Sequence, residues 1–164
     1  HPALSGKLAT VEQADFRAHD RDQGGIMAGI ENIFDVGARA LSAQMVRMNT
    51  TASNLANAGT VAGSVEEAFR PLRPVFEAEY ADNIGKSGLA TAKISEIVQL
   101  DRAAEKVYQP DHPLADPDGF VWRSTVSVEE EMVEMMEASR QYQNTREAMS
   151  TLRSLMARTL SMGS

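Results

Sequence analysis

Two segments with seven-residue apolar spacing lie at opposite ends of this 164-residue chain. The first holds Phe34, Leu41, Met48 and Leu55, and the second holds Met135, Tyr142, Met149 and Met156. A heptad keeps one apolar seam on one face of a helix, and such a seam needs a partner. The simplest partner for each end is the other end. The spacing therefore predicts a mainly α-helical fold whose two long terminal helices pair as a coiled-coil-like hairpin, with a small β lobe between them.

The N-terminal helix is predicted within residues 27–58, with helical apolar spacing from about Ile30 and a stop at Gly59. Residues 1–26 are polar and poorly periodic, and Met27 is a plausible natural start. We therefore expect residues 1–26 to be an extension, either an artificial remnant or a processed segment, that stands outside the fold.

The middle of the chain, residues 59–125, is predicted to be a loop followed by the small β lobe. Pro71 and Pro74 forbid a long helix and favour an extended, edge-like segment. Strand candidates follow at residues 91–98, 107–108 and 120–122. The proline-rich segment 110–119, which ends in Asp-Gly, is typical of a turn.

The C-terminal helix is predicted within residues 126–164, and this is the strongest helical pattern in the chain. Ser127 is a suitable N-cap, and Glu129, Glu130 and Glu131 follow at the positive end of the helix dipole. Between its large heptad residues lie mostly small ones: Ala138, Thr145, Leu152 and Thr159. Such a seam suits packing among several helices, although a plain helical core explains the same residues.

Charge and composition exclude several classes of function. A net charge of -7 argues against a nucleic-acid partner, which needs a basic surface. The absence of cysteine removes disulfides and thiolate chemistry. We find neither a run of the roughly 20 apolar residues that a membrane span needs nor a secretory signal pattern. A protein of this kind that works outside the cytoplasm would be exported by another route.

The sequence does not match the catalytic and metal-binding motifs that its acidic and glycine-containing segments suggest. Aligning Gly119 with the invariant glycine of a calcium loop puts Leu114 and Thr125 where Asp and Glu are required. The glutamates of the C-terminal helix lack the Glu-x-x-His pairs of a di-metal bundle site. No phosphate loop, nucleophile elbow or zinc-binding helix motif is present. We therefore expect no enzyme activity, no cofactor, no metal and no small-molecule substrate.

Three segments resemble one protein family. Thr51-Ala52-Ser53-Asn54-Leu55-Ala56-Asn57 is similar to the Asn-Leu-Ala-Asn signature of bacterial flagellar rod and hook proteins. Residues 131–143, with Glu-Met-Val followed by Arg-Gln-Tyr-Gln, resemble the second signature of that family. Residues 107–121 resemble the central segment of its proximal rod members. The resemblance covers about residues 27–163.

This resemblance implies a structural subunit of the basal-body rod. The subunit would be exported by the flagellar type III apparatus without a cleavable signal and would assemble with copies of itself and with other rod proteins. The terminal helices would form the inner tube, with the β lobe outside. The residues expected at the assembly interface are Phe34, Leu41, Met48, Asn54, Leu55, Asn57, Met132, Met135, Tyr142, Met149, Leu152 and Met156. The alternative is a soluble coiled-coil adaptor or export chaperone that binds a partner helix.

Overall fold

A computed structural model describes the backbone of residues 5–79 and 91–163. Its elements, in chain order, are α1 (Ser5–Ala56), β1 (Val61–Ala62), β2 (Leu72–Glu79), β3 (Thr91–Gln99), β4 (Glu105–Tyr108), β5 (Phe120–Arg123) and α2 (Val128–Met162). Two long helices enclose a set of short strands in the sequence, which confirms a mainly helical protein with a small β insert. Within the described residues, neither helix is long and apolar enough to cross a membrane.

The start of α1 differs from the prediction. We expected helix from about Ile30, whereas the helical backbone begins at Ser5. The prediction was wrong because it relied on apolar periodicity, and polar residues weaken that pattern without preventing a helix. Residues 5–29 contain no proline, and the Gly24-Gly25 pair lies inside the helix. The origin of residues 1–26 stays a prediction.

The chain forms two compact units, His1–Val36 and Gly37–Ser164. In the first unit, residues 20–29 are all exposed, and Ile30 is half-buried. The second unit contains the strands, α2 and a small core. Val121 and Ala138 are fully buried there, and Ala43 and Ala68 nearly so. The same unit buries several polar side chains, namely Thr50, Thr51, Asn54, Ser124 and Glu131.

Both predicted helix boundaries near the β lobe are confirmed. At the end of α1, Gly59 has a φ of 80°, a conformation that glycine adopts without steric cost. At the start of α2, the Ser127 hydroxyl accepts a hydrogen bond from the Glu130 amide at 3.3 Å. Three glutamates in the first turn of α2 face the positive end of the helix dipole.

The three-stranded antiparallel sheet has the order β1-β5-β4. In it Val107 pairs with Val121, and Tyr108 pairs with Phe120, whose ring lies edge-on at 5.3 Å. These strands confirm the predictions at 107–108 and 120–122. The two-residue strand β1 lies where we predicted only a loop, because two residues paired at a sheet edge leave no periodic signal.

A separate antiparallel ribbon consists of β2 and β3, with an irregularity between Val75 and Phe76. It confirms the extended segment after Pro71 and the strand predicted at 91–98. Both strands of a two-stranded ribbon are edge strands. Proline is tolerated in edge strands because its missing N–H leaves no ladder hydrogen bond unmade, and this accounts for Pro74 in β2.

The segment between β4 and β5 is the predicted turn. Asp116 Oδ1 accepts hydrogen bonds from the amides of Asp118 at 3.0 Å and Phe120 at 2.8 Å. The carboxylate therefore organises the backbone of the turn, as Asp does in an Asx-turn. Gly119 has a φ of 88° and lies under the Tyr108 ring, where a Cβ atom would come within 2.8 Å of Tyr108 Cε2.

Candidate assembly interface

One amide side chain joins the end of α1 to β2 and α2. Asn54 Oδ1 accepts a hydrogen bond from the Leu72 amide at 2.8 Å, and Asn54 Nδ2 donates to the Leu72 carbonyl at 2.9 Å. A neighbouring β-strand would make the same pair of bonds. Nδ2 also donates to Glu131 Oε2 at 3.0 Å. Asn54 is fully buried, so these bonds satisfy polar atoms that water cannot reach.

The Glu131 carboxylate lies at the centre of this contact, although the residue is only 1% exposed. Arg73 on β2 holds it by two hydrogen bonds, from Nη2 to Oε1 at 2.6 Å and from Nη1 to Oε2 at 3.0 Å. The hydrogen bond to Glu131 raises the pKa of Arg73 above its ordinary value, against the opposing effect of burial. A charge is tolerated at this depth because it is paired and hydrogen-bonded.

A second ion pair connects α2 to the segment between β3 and β4. Arg102 donates from Nη1 to Glu130 Oε2 at 2.8 Å and from Nη2 to Glu130 Oε1 at 3.0 Å. This bonding lowers the pKa of Glu130 and raises the pKa of Arg102. Glu130 also lies 3.6 Å from Arg73. Part of the acidic run at the start of α2 therefore pairs with arginines of the β lobe.

Polar side chains of α1 also reach α2 further from the β lobe. Arg47 Nη2 lies 3.0 Å from Glu134 Oε2, and Gln44 Nε2 donates to Gln141 Oε1 at 2.9 Å. Together with the bond from Asn54 to Glu131, these contacts follow reverse residue order on the two helices. The contacting stretches of α1 and α2 therefore run antiparallel.

A glycine of α1 makes room for a large side chain of α2. A Cβ atom built at Gly37 would lie 2.6 Å from Met149 Sδ and 2.9 Å from Met149 Cγ. Real Cβ atoms do not approach so closely, so the absence of a side chain at Gly37 admits the methionine. Gly37 and Ala43 are both buried, and small residues on one helix allow large ones on the other to interdigitate.

The predicted seam of α2 coincides with its more buried face. Ala138 is fully buried, and the larger residues of that face are half-buried: Met135, Tyr142, Met149, Leu152 and Met156. Met132, which we also assigned to the interface, is 54% exposed. At about 100° per residue it lies on another side of the helix. The structure thus separates Met132 from the seam residues.

The predicted seam of α1 lies beside the buried face of that helix. Leu41, Met48 and Leu55 are half-buried. The buried positions between residues 37 and 54 instead carry small or polar residues: Gly37, Ala43, Thr50, Thr51 and Asn54. In the first unit, Phe34 is half-buried as well. Large apolar side chains of α1 therefore remain partly accessible.

Asn57, the last residue of the Asn-Leu-Ala-Asn segment, has a local role. Its Nδ2 donates to the Ser53 carbonyl at 2.9 Å, and its own carbonyl accepts from the Thr60 amide at 3.2 Å and the Thr60 hydroxyl at 2.8 Å. The bonds from Thr60 satisfy the Asn57 carbonyl, which the end of the helix leaves without a helical partner, whereas the Ser53 carbonyl also accepts the Asn57 backbone amide at 3.1 Å. The two asparagines of the segment thus differ, since Asn54 joins distant elements and Asn57 closes α1.

Sequence reasoning missed the ion pair of Arg73 and Glu131 beside Asn54. Arg73 lies between Pro71 and Pro74 in a segment predicted to be an exposed edge, and no sequence pattern predicted that it would pair with a buried acid. Glu131 carried a signal, because it lies one heptad before Ala138 on the line of small residues that we predicted to face inward. An acid at such a position needs a buried cation, and Arg73 supplies it.

The described residues contain no group of three His, Cys, Asp or Glu that could hold a metal ion. Glu130, Glu131 and Glu134 are bound to arginines. The contacts at the helix junction therefore build structure: they fix one helix against another and against β2.

Comparisons with known proteins agree with this arrangement at both ends of the chain. Residues 34–62 match the family model described as "Flagella basal body rod protein", and residues 118–162 match the one described as "Flagellar basal body rod FlgEFG protein C-terminal". The matched stretches include the Asn-Leu-Ala-Asn end of α1 and nearly all of α2. They define the class as that of the flagellar basal-body rod proteins.

Relatives specify the family within this class. The chain is 39% identical over 132 residues to flagellar basal-body rod protein FlgC of Salmonella typhimurium and 41% identical over 132 residues to that of Yersinia enterocolitica. It is 35% identical over 133 residues to FlgC of Aquifex aeolicus. These alignments cover 80 to 81% of the chain and 96% of each relative. The chain belongs to the FlgC family and is a structural protein of the flagellar basal-body rod.

Proposed function

We propose that this protein builds the rod through its two long helices, which pair as an antiparallel, coiled-coil-like hairpin and pack against copies of the chain and against other rod proteins. The contacts from Asn54 to Glu131, from Arg47 to Glu134 and from Gly37 to Met149 support the pairing. The β lobe would lie outside the tube of helices.

The observation that carries this proposal is the partial exposure of the apolar seams. In α1 the seam residues Leu41, Met48 and Leu55 remain half-buried. The seam residues of α2 are half-buried too: Met135, Tyr142, Met149, Leu152 and Met156. Burying a Leu or Met side chain contributes roughly 1.5 to 3 kcal/mol. A subunit that leaves such residues partly in water gains stability when a neighbour covers them, which favours assembly.

The route to the rod forms part of the proposal. Rod subunits lie beyond the cytoplasm, so the chain must be exported to reach the rod. We expect the flagellar type III export apparatus to carry it. A coiled-coil adaptor or export chaperone gains no support from the relatives, since those compared are rod proteins.

The test is a strain whose only copy of this gene ends before Met149. We expect loss of swimming, and electron microscopy should show basal bodies that stop before a complete rod. Normal swimming with intact rods would contradict the proposal. An adaptor would instead form a discrete stoichiometric complex, which size-exclusion chromatography of the purified protein would detect.

A matched pair of point variants distinguishes the effect of a charge in the seam from the effect of a charge elsewhere on α2. Leu152→Asp changes a half-buried residue, whereas Ser154→Asp adds the same charge at an exposed position of the same turn. We expect Leu152→Asp to stop rod assembly and Ser154→Asp to leave swimming unchanged. Equal swimming of the two strains would remove the seam from the assembly interface.

A further inference from the structure

The ribbon of β2 and β3 is exposed away from its base. Residues 76–77 on β2 and 95–97 on β3 are all exposed. The paired part of β2, Leu72–Glu79, spans about 23 Å at roughly 3.3 Å per residue. A two-stranded ribbon is marginally stable by itself and needs contacts with other elements. The direction of this ribbon therefore depends on the contacts made at its base.

Two arginines at the base of the ribbon bind neighbouring glutamates of α2. Arg73 lies near the start of β2, and Arg102 lies just after the end of β3. Arg73 donates two hydrogen bonds to the Glu131 carboxylate, at 2.6 and 3.0 Å. Arg102 donates two to the Glu130 carboxylate, at 2.8 and 3.0 Å. A forked pair of planar groups fixes the relative orientation of its partners as well as their distance.

The two forked pairs hold the ribbon from two directions. Consecutive residues of an α-helix point about 100° apart around its axis, so Glu130 and Glu131 leave α2 on different sides. One pair alone would let the ribbon pivot about a single contact, whereas two pairs in different directions resist that rotation. Arg73 Nη2 also lies 3.6 Å from Glu130 Oε1, which connects the two pairs. Asn54 fixes the same base against α1 through its two bonds to the Leu72 backbone.

These pairs are better suited to set a direction than to add stability. The side chains of Arg102 and Glu130 are 40% and 43% exposed, and exposed ion pairs contribute little net stability. The pair of Arg73 and Glu131 is more buried, and the cost of removing two charges from water largely offsets their attraction. A change in direction has a larger effect, because a swing of about 10° at the base of a ribbon of about 23 Å moves its far end by about 4 Å.

We infer that Arg73 and Arg102 are positioning residues, whose forked bonds to Glu131 and Glu130 fix the direction in which the β2–β3 ribbon leaves the helices. Every copy of the chain then carries its ribbon at the same angle. The consequence for the rod rests on the proposed function. Copies that pack in a regular array need the same shape, so a ribbon that swings hinders assembly.

Distances between spin labels measure the direction of the ribbon. Because the chain contains no cysteine, labels are placed through Glu77→Cys on the ribbon and Gln143→Cys on α2, both at exposed positions. Double electron–electron resonance on the purified full chain gives the mean distance and its spread. Arg73→Lys and Arg102→Lys each keep the charge but remove the planar fork. In each variant we expect the spread to widen, or the mean to move, by about 4 Å or more.

Arg123→Lys is the matched control, since Arg123 on β5 makes no ion pair within the residues that the structure describes. It should leave the distances unchanged. Equal distances in Arg73→Lys, Arg102→Lys and the control would overturn the inference. A change in Arg73→Lys alone would overturn it as well, because one pair would then suffice. If circular dichroism shows that Arg73→Lys loses helix, the exposed pair of Arg102 decides the question by itself.

A swimming assay separates this inference from the proposed function. Arg102→Lys in the only copy of the gene should reduce spreading in soft agar, whereas Arg123→Lys should not. Altered distances together with normal swimming would overturn the consequence for assembly and leave the positioning role in place. Unaltered distances in Arg102→Lys would overturn the positioning role while the protein remains a rod subunit. Failure of the unaltered chain to enter the rod would instead contradict the proposed function itself.

Discussion

Asn54 shows how a single side chain can hold together segments that lie far apart in the sequence. Its amide group bonds both backbone groups of Leu72 and one oxygen of Glu131. These bonds need both the donor NH2 and the acceptor oxygen of the amide. Aspartate, when ionised, has no donor, and leucine, which is similar in size, has neither group. The residue type is therefore determined by the hydrogen bonds and not by helix propensity.

Asn54→Asp should destabilise the protein strongly. The change removes the Nδ2 donor and sets a second carboxylate against buried Glu131, so the free energy of unfolding should fall by about 2 to 4 kcal/mol. Chemical denaturation followed by circular dichroism measures this loss. Asn49→Asp is the matched control, because Asn49 lies exposed on the same helix. Similar midpoints for the two variants would contradict the role given to Asn54.

The pair of Glu130 and Arg102 predicts a specific pH dependence. Because hydrogen bonding to Arg102 lowers the pKa of Glu130 in the folded protein, its contribution to stability is complete above the ordinary carboxyl pKa of about 4. That contribution is lost as the pH falls through the lowered pKa. Glu130→Gln should therefore show a shallower loss of stability below about pH 4 than the unaltered protein. Both residues are substantially exposed, so the effect should be small and should shrink at high salt.

Thermal unfolding from pH 2 to pH 7 measures this difference. Glu129→Gln is the control, since Glu129 lies one residue away and makes no ion pair within the described part of the chain. If Glu130→Gln and the unaltered protein lose stability in parallel on acidification, the ion pair does not contribute.

At the scale of elements, the two helices contribute different kinds of residue to their contact. The buried face of α2 carries large flexible residues such as Met149, whereas that of α1 carries small and polar ones such as Gly37 and Thr51. In α2 the periodic large residues lie on the more buried face of the helix. In α1 the periodic residues lie beside the buried face, because close approach to α2 requires small side chains there.

Gly37→Val should disturb the contact between the helices. Its Cβ atom and methyl groups would occupy the space of Met149 Sδ and Cγ, and overpacking of this kind costs about 1 to 3 kcal/mol. Gly29→Val is the matched control, since a Cβ atom at Gly29 meets no other atom within 4 Å.

Adding Met149→Ala to Gly37→Val should recover part of the lost stability, because the smaller side chain frees the space. A double-mutant cycle on the unfolding free energies measures the coupling. Zero coupling would mean that the two residues do not compete for the same space in solution.

At the scale of the whole molecule, few apolar side chains are buried in the part of the chain that the structure describes. Val121, Ala138, Ala43 and Ala68 form the buried apolar set in the described residues, and the helix junction is held largely by polar contacts. We therefore expect the free subunit to have limited stability. The ends of its helices depend on neighbours for the burial that isolated helices lack.

Hydrogen exchange should reveal this dependence. All residues of α2 from Ala157 to Met162 are exposed, so their amides should exchange rapidly in the free subunit and slowly in the assembled rod. The amides around buried Ala138 are the internal control and should be protected in both states. Equal protection of residues 157–162 before and after assembly would show that the end of α2 is already ordered in the monomer.

The sequence by itself determined the order of the main elements, a helix, a set of strands and a second helix, but not the two-residue strand β1. Local features sufficed for this: heptad spacing, the Ser127 cap, the stop at Gly59, the prolines at the start of β2 and the Asp116 turn each act within a few residues. The resemblance of three segments to the family signatures indicated a flagellar rod protein. Polar residues 5–29 gave no periodic signal, so the true start of α1 escaped this reasoning.

Only the tertiary structure decided which residues meet. Asn54, Leu72, Arg73 and Glu131 come together because α1, β2 and α2 converge, and no local pattern encodes that convergence. The outer faces of the helices became visible in the same way, since an exposed Met136 and a half-buried Met135 look alike in the sequence. Burial is a property of the neighbours a side chain finds in space, and in this chain those neighbours lie up to about a hundred residues away, as Gln44 and Gln141 do.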